Sequence, residues 1–412
     1  MHMSDALISP AVGGAMLAVS VGCVGHSARR LRAAMDDSRA PAMGVMGAFV
    51  FAAQMVNFAI PGTGSSGHIA GGLLLAVVLG PHASMLAIAA VLFIQALVFA
   101  DGGLLAYGCN VFNIGFLACW VAYPLAYRTA TRRGLNARSI WLGCMSGAIV
   151  ALQLGAFAVV LETLLSGKTE LPFAQFALFM QPVHLLIGIA EGAATAAVVA
   201  FVWKTEPALL YAGGGDNGGG SQTDPSRPAR ARRVLVCIGG AAALAACVLA
   251  LFASQAPDGL EWSVSRAARG GDVSASSSAH NAAGAIQGFT SLFPGYAAKD
   301  PDGAFDVPPA NPANSETADS NPADSEIADT NPADSEPSQL RAGATTSMSG
   351  LIGAALTLCA IGGAGFALSR SRRRVKNAEN AEAVGADCGT DCGAGGAFTA
   401  MAGPPGEGDA FG

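Results

Sequence analysis

Nine long apolar runs constrain this 412-residue sequence more than any other feature. A helix needs roughly 20 apolar residues to cross about 30 Å of hydrocarbon. Hydrophobic residues make up 52% of the chain and charged residues only 13%, which is more apolar surface than a soluble domain can bury. We therefore expect an all-α membrane protein, with a bundle of about seven transmembrane helices followed by a two-helix C-terminal membrane unit. The predicted spans are 10–28, 41–60, 69–80, 83–100, 104–126, 140–165, 176–203, 234–254 and 348–369.

The run 69–80 is short for a span, and Gly-rich turns and Pro81 flank it. We interpret it as a short helix that brings the first bundle to seven spans, rather than as a re-entrant segment. Arginine positions support this count, because short cytoplasmic loops are rich in Lys and Arg. With the N-terminus outside and the C-terminus in the cytoplasm, every arginine cluster of this multi-pass cell-membrane protein lies on the cytoplasmic side. If 69–80 is not counted as a span, the later clusters move to the outer side. The clusters are 29–39, 128–138, 227–233 and 370–374.

Charge and cysteine usage exclude other classes of protein. The formal charge of -6 gives no basic footprint for nucleic acid, which leaves the lipid bilayer as the expected environment. The 9 cysteines are scattered and lie mostly in apolar runs, unlike the framework of a disulfide-rich secreted domain. No basic segment precedes the first apolar run, so we expect no cleavable signal peptide.

The N-terminus itself is the first candidate for chemistry. The α-amine of Met1, the amide nitrogen of His2 and the His2 imidazole can chelate one cation through fused rings. Such a set leaves one position of a square plane for another donor, and late first-row ions such as Ni(II) and Co(II) suit nitrogen-rich tetragonal geometry. A bulky second residue also favours retention of Met1.

His68 is the candidate for the fourth donor, because the loop PGTGSSGHIAGG at 61–72 lies on the same predicted face as the N-terminus. Its glycines and serines allow the loop to turn into the mouth of the bundle. The alternative is an ordinary Gly-rich connector that carries a surface histidine.

Polar residues inside the apolar spans are further candidates, because their burial in lipid is costly. Two interpretations stay open for each residue, a part in a transport path or a hydrogen bond between helices. These residues are Gln54, Asn57, Gln95, Asn110, Asn113, Gln153, Glu162, His184 and Glu191. We expect only structural or exposed roles for His26, His82 and His280.

Two other motifs lack the context of the sites they resemble. Residues 166–169 read SGKT, but Glu162 stands where a phosphate-binding loop needs its first Gly, so we expect no ATP site in this chain. Cys388 and Cys392 form a C-x3-C pair without a matching second pair, which argues against zinc. No Ser/His/Asp set or pair of carboxylates indicates an enzyme.

Four stretches of the first half resemble the CbiM family, the substrate-specific membrane components of energy-coupling factor importers for cobalt, with the nickel NikM proteins as close kin. They are MHMSDALISP, AQMVNFAIPGTGSSGHIAGGLLLAVVLGP, LFIQALVFADGGLLAYGCNVFNIG and HLLIGIAEGAATA. The sequence departs from the family at Ala6, where Gly is usual, and at His82, where Trp is common.

The second half resembles the PDGLE domain of the small CbiN and NikN accessory subunits. Residues 257–261 read PDGLE directly after a span, a second PDG begins at Pro301, and the closing span begins SGLIGAAL. We therefore expect a natural fusion. Its parts are a CbiM-like domain at 1–203, a cytoplasmic linker at 204–233, a PDGLE domain at 234–369 with a disordered acidic repeat at 311–340, and a disordered tail at 370–412.

The resemblance implies a metal site formed by Met1, His2 and His68, with Asp5 and Ser66 supporting these ligands. It implies Co2+ or Ni2+ as the transported substrate, with cobalt favoured and destined for cobalamin biosynthesis. It also implies no catalysis by this chain, which would work with a CbiQ-like coupling subunit and CbiO-like ATPase subunits. A membrane metal sensor and an intramembrane enzyme are the rival hypotheses.

Overall fold

The computed structural model describes residues 2–34, 39–211, 227–268, 273–297 and 345–371. The predictions for Met1, for the acidic repeat, for residues 372–412 of the tail and for the pair Cys388 and Cys392 lie outside these residues.

Helices form almost all of the regular structure. The first half contains α1 (Pro10–Ala34), α2 (Ala40–Gln54), α3 (Gly72–Leu79), α4 (Pro81–Val98), α5 (Tyr107–Asn110), a π-helical stretch (Val111–Tyr127), α6 (Arg128–Thr131), α7 (Ala137–Leu165) and α8 (Phe173–Thr205). The second half contains α9 (Arg227–Cys247), α10 (Gly259–Ala267), α11 (Ser278–Thr290) and α12 (Thr345–Ser371). Short 3-10 turns lie at Asp5–Leu7, Pro207–Leu209, Leu249–Phe252 and Pro294–Tyr296.

Seven helices of the described residues are long and apolar enough to cross a membrane. They are α1, α4, the continuous helix Tyr107–Thr131, α7, α8, the helix Pro228–Phe252 and α12. Large apolar side chains such as Leu185, Leu186 and Ile189 are exposed on the outside of α8, where a soluble protein would place polar groups. The prediction of an all-α, multi-pass membrane protein is confirmed.

Two predicted boundaries are wrong. The span 41–60 ends at Gln54, because the chain then forms an antiparallel hairpin of β1 (Phe58–Ile60) and β2 (Ser65–Gly67). Helix α9 begins at Arg227, so the last residues of the expected linker are helical. Its first turns are also tied to the end of α8, since Arg230 Nε lies 3.1 Å from Glu206 Oε2.

The run 69–80 does form a short helix. Helix α3 has 8 residues, all of them buried, and its length of about 12 Å is too small to cross the hydrocarbon alone. Its last turn meets the segment after α8, where Tyr211 N donates to Val77 O at 3.0 Å. The hairpin lies at the other end of the bundle, where Ser66 N donates to Pro257 O at 2.8 Å. Hairpin, extended chain and short helix together therefore run from one end of the bundle to the other.

Helices α10 and α11, between the two C-terminal spans, were not among the predicted elements. Asp258 caps α10 by accepting a 2.8 Å hydrogen bond from Glu261 N, and Glu261 Oε2 accepts one in return from Asp258 N at 3.2 Å. This reciprocal capping box satisfies two backbone donors that a helix start leaves free. The letters PDGLE thus encode the start of a helix at the mouth of the bundle.

Candidate metal centre

The structure brings the rings of His2 and His68 together at one end of the bundle. Their centroids lie 5.1 Å apart and their planes are inclined by 19°, so the two imidazoles are stacked. His68 is 9% exposed and the His2 side chain 6%, which removes both rings from bulk water. Met1, the other expected donor, lies outside the described residues. Its role and those of His2 and His68 as ligands stay a prediction.

Asp101 holds the ring of His2 from the opposite side. Its Oδ1 lies 2.9 Å from His2 Nδ1, and its Oδ2 accepts a 2.6 Å hydrogen bond from the hydroxyl of Tyr296. Burial alone would raise the pKa of Asp101, but His2 and the hydrogen bond from Tyr296 outweigh it and hold the pKa below its usual range. The carboxylate is therefore charged at neutral pH.

The N-terminal segment is fixed by main-chain contacts that sequence spacing did not reveal. Met3 N donates to Asn110 Oδ1 at 2.8 Å, and Asn110 Nδ2 and Gly103 N donate back to Met3 O at 3.2 and 2.9 Å. Asp5 Oδ1 accepts from Ala106 N at 3.0 Å. A Cβ on Gly103 would collide with Asp5, so this position requires glycine. Asp5 thus anchors the segment that carries His2, and its support of a bound metal stays a prediction.

The segment after His68 is fixed by Glu191 of α8. Its two carboxylate oxygens accept from Ala70 N at 2.7 Å and Gly71 N at 3.0 Å, and Gly71 has the φ of +77° that favours glycine. Gln54 Nε2 donates to Ala70 O at 2.8 Å. These three hydrogen bonds set the path of the chain directly beyond the imidazole. Glu191 and Gln54 were on the sequence list of buried polar residues, but their contact with this segment was not predicted.

Burial, together with the neighbouring His2, lowers the pKa of His68 to about 3. The imidazole is consequently neutral at physiological pH, which is the form that binds a metal ion. Its Nδ1 lies 3.2 Å from Ile69 O. Asp258 is near enough for its charge to oppose the shift.

The other polar candidates are mostly paired across helices. Gln95 Nε2 donates to Gln54 Oε1 at 2.8 Å, and Gln153 Nε2 donates to Gln181 O at 2.9 Å. Asn113 donates to Glu162 at 2.7 Å. His184 Nδ1 lies 2.8 Å from Met180 O, whereas its Nε2 and the Oδ1 of Asn57 have no hydrogen-bond partner.

His26, His82 and His280 make packing and hydrogen-bonding contacts, which are structural roles of the kind expected. The rings of His26 and His82 lie 5.6 Å apart at the opposite end of the bundle, and both contact Trp120. His280 Nε2 lies 3.1 Å from Asp5 O and 3.0 Å from Ile8 O. A long-range contact of this kind has no signal in the sequence.

The second half of the chain closes over the mouth. Ser66 Oγ donates to Ala256 O at 2.7 Å, and Gln287 Nε2 donates to both Ala96 O and Gly102 O at 2.8 Å. Ser66 therefore joins the two halves of the chain.

The described side chains at this centre do not supply enough donors to hold a metal ion by themselves. Within the described ranges, no three His, Cys, Asp or Glu side chains come together as a metal-binding set. Two imidazoles and main-chain nitrogen would have to supply the donors. His2 Nε2 has no hydrogen-bond partner, while the carboxylate of Asp101 occupies Nδ1, the nitrogen that an N-terminal chelate needs.

Comparison with known proteins identifies the family. A family model described as the cobalt uptake substrate-specific transmembrane region, CbiM, matches residues 2–209, half of the chain. The chain belongs to the CbiM family. The CbiM part ends just after α8, and a PDGLE domain model matches residues 232–370, so the expected fusion of the two domain types is confirmed.

Curated relatives of this CbiM protein are metal transport components. A putative metal transport protein of Haloquadratum walsbyi is 36% identical over 51% of this chain and 94% of its own length. A putative fused nickel transport protein NikMN of Archaeoglobus fulgidus is 36% identical over 51% of this chain and 68% of its own length. The fused nickel transport protein NikMN of Rhodobacter capsulatus is 31% identical over 73% of this chain and 88% of its own length.

Proposed function

We propose that this CbiM-family chain is the metal-binding membrane component of an energy-coupling factor importer for cobalt or nickel. The observation that carries the proposal is the stacking of two buried imidazoles, His2 and His68, beneath a mouth that the PDGLE domain covers. Imidazoles suit late first-row divalent ions, and the absence of a three-side-chain set among the described residues favours an ion held by the Met1 amine and the His2 amide as well.

Ion capture would proceed from outside, with the N-terminus on that face and the C-terminus in the cytoplasm. The ion replaces the proton on His2 Nδ1 and breaks the contact of that nitrogen with Asp101, whose negative charge stays close to the bound cation. His68 completes the set and needs no deprotonation, because it is already neutral. A CbiQ-like coupling subunit and CbiO-like ATPase subunits would then drive reorientation and release.

The observations that bear on the identity of the ion point to two metals. The family model that matches the first half is described for cobalt uptake, which supports cobalt. Imported cobalt would feed cobalamin biosynthesis. Nickel is the second candidate, because the Rhodobacter capsulatus relative that aligns with 73% of this chain is a fused nickel transport protein.

Metal content after exposure to equal Co(II) and Ni(II) tests the proposal. We expect one ion per chain in the wild type, a loss of at least tenfold in His2→Ala and His68→Ala, and no change in His26→Ala, a matched histidine at the other end of the bundle. Full metal content in His2→Ala and His68→Ala would contradict the site. A metal-loaded chain that never purifies with an ATPase from its native membrane would favour a sensor instead.

A further inference from the structure

A second group of metal-binding atoms lies directly below the N-terminal segment, on the inner side of Met3. Glu162 of α7 is 5% exposed, and its Oε2 accepts a 2.7 Å hydrogen bond from Asn113 Nδ2. Its Oε1 has no nitrogen or oxygen donor. A buried carboxylate with one unpaired oxygen is costly unless a proton or a cation neutralises it.

Two sulfur atoms lie beside this carboxylate. Met3 Sδ is 3.7 Å from Asn113 Nδ2, the same nitrogen that reaches Glu162, and Met3 is fully buried. The free thiol of Cys109 lies near the Glu162 carboxylate, and Cys109 is fully buried.

Asn113 adds an oxygen donor to the same group. It is 1% exposed, and its Oδ1 has no hydrogen-bond partner. A half-turn of the amide about Cβ–Cγ would exchange Nδ2 for Oδ1 between Glu162 and Met3. A thioether, a thiol, a carboxylate and an amide oxygen therefore lie in one buried neighbourhood.

The charge balance of this cluster fits a divalent cation. Binding would release the thiol proton of Cys109, and the thiolate together with the Glu162 carboxylate would supply two negative charges. Sulfur donors favour the later, softer divalent ions over Mg²⁺ and Ca²⁺, which prefer oxygen ligands alone. Interhelical hydrogen bonding alone explains the Asn113–Glu162 pair, but it leaves Oε1 of Glu162 and Oδ1 of Asn113 unused.

We propose that Glu162, Cys109, Met3 and Asn113 form a second, intramembrane site for a late first-row divalent cation. Its use as a transit site for the imported ion rests on the proposed function. Met3 follows His2 in the chain and so connects the two groups of donors. An ion that leaves the N-terminal chelate inward would meet this sulfur-containing set next.

Cobalt spectroscopy on the full chain distinguishes the two sites. The double variant His2→Ala/His68→Ala removes the outer imidazoles, and Co(II) is then added to the purified protein. We expect about one bound Co(II) with a sulfur-to-cobalt charge-transfer band and sulfur scattering in X-ray absorption. Adding Glu162→Gln or Cys109→Ser to the double variant should weaken this binding at least tenfold. Cys119→Ser, at a buried cysteine farther along the same helix, should leave it unchanged.

Absence of sulfur-bound cobalt in the double variant, or equal binding after Glu162→Gln and Cys109→Ser, would overturn the second site. Failure of the proposed function gives a different result, in which the wild type shows no nitrogen-bound ion while sulfur-bound cobalt persists. If Glu162→Gln lowers the melting temperature of the metal-free protein, Cys109→Ser decides the test, because it preserves the size of the side chain.

Discussion

The hydroxyl of Tyr296 donates a 2.6 Å hydrogen bond to Asp101, and this contact joins the PDGLE half of the chain to the carboxylate that holds His2. Tyr296 and Ala100, the neighbour of Asp101, both have positive φ angles, +66° and +51°. Left-handed backbone in residues other than glycine costs about 1–3 kcal/mol and persists only where surrounding contacts impose it. Both sides of this contact therefore store strain at the candidate metal centre.

Tyr296→Phe should weaken metal binding roughly tenfold, because it removes the donor that holds the negative charge of Asp101 close to the bound cation. The loss of this donor frees Asp101 and the loop through Gly103 that holds Met3. Titration calorimetry with the preferred ion measures the change. Tyr211→Phe, at the opposite end of the bundle, is the matched control, and equal affinities of the two variants would contradict the role of Tyr296.

Glu191→Gln should lower metal affinity by about tenfold to a hundredfold without removing any proposed ligand. A carboxamide offers one oxygen where the main-chain nitrogens of Ala70 and Gly71 now use two, so the chain after His68 loses a fixed contact. Glu206→Gln, just beyond the end of the same helix, makes the same chemical change far from the site. The account is wrong here if both variants bind the ion as tightly as the wild type.

Ser66→Ala should loosen the attachment of the PDGLE half. The variant loses the hydrogen bond from Ser66 Oγ to Ala256 O, worth about 1 kcal/mol or a roughly fivefold faster separation. A protease site placed within residues 212–226 allows the linker to be cut, and size-exclusion chromatography then follows the two halves. Ser146→Ala, whose hydroxyl bonds only within its own helix, serves as the control. Cut halves of the Ser66→Ala variant that separate no faster than those of this control would argue against the contact.

The metal-free protein should lose stability in acid through His68. Its folded pKa of about 3 lies below the ordinary value of 6.5, so the unfolded chain binds more protons between these values and stability falls as pH falls. Between pH 6.5 and pH 5, the free energy of unfolding should fall by about 2 kcal/mol because of this residue alone. Over this pH range, the melting temperature of His68→Gln should change less with pH than that of the wild type. Parallel curves for variant and wild type would show that His68 is not buried as a neutral ring.

The membrane helices were predictable because hydrocarbon thickness fixes the length of apolar runs. All nine runs contain helices, and the errors fall where polar or glycine-rich sequence enters a run. Phe58–Ile60 is apolar enough to continue a helix, yet it pairs with Ser65–Gly67 because the residues between them form a tight turn. Local composition does not show whether such a segment continues the helix or pairs as a strand.

The sequence predicted that His2 and His68 lie on the same face of the membrane. It did not predict which residues hold them in place. Tyr296 and Asp101 are 195 positions apart, and no periodicity links them. The start of α10 did carry a signal, since Asp258 and Glu261 have the spacing of a capping box. The cover that α10 and α11 form over the mouth depends on tertiary packing.

The most direct test of the central claim, a metal site that includes the N-terminal amine, adds three alanines before Met1, because a single added residue would place the histidine third from the amine and build a new nickel chelate. This change leaves every side chain in place and moves only the amine, so the chelate ring cannot form with His2. Absorption spectra after Ni(II) addition should show a tetragonal nickel band and one ion per chain in the wild type, and in a control with three alanines added after Gly412. We expect both the band and the ion to be lost in the N-terminal variant. Retention of the same spectrum and the same nickel content after N-terminal extension would contradict the account.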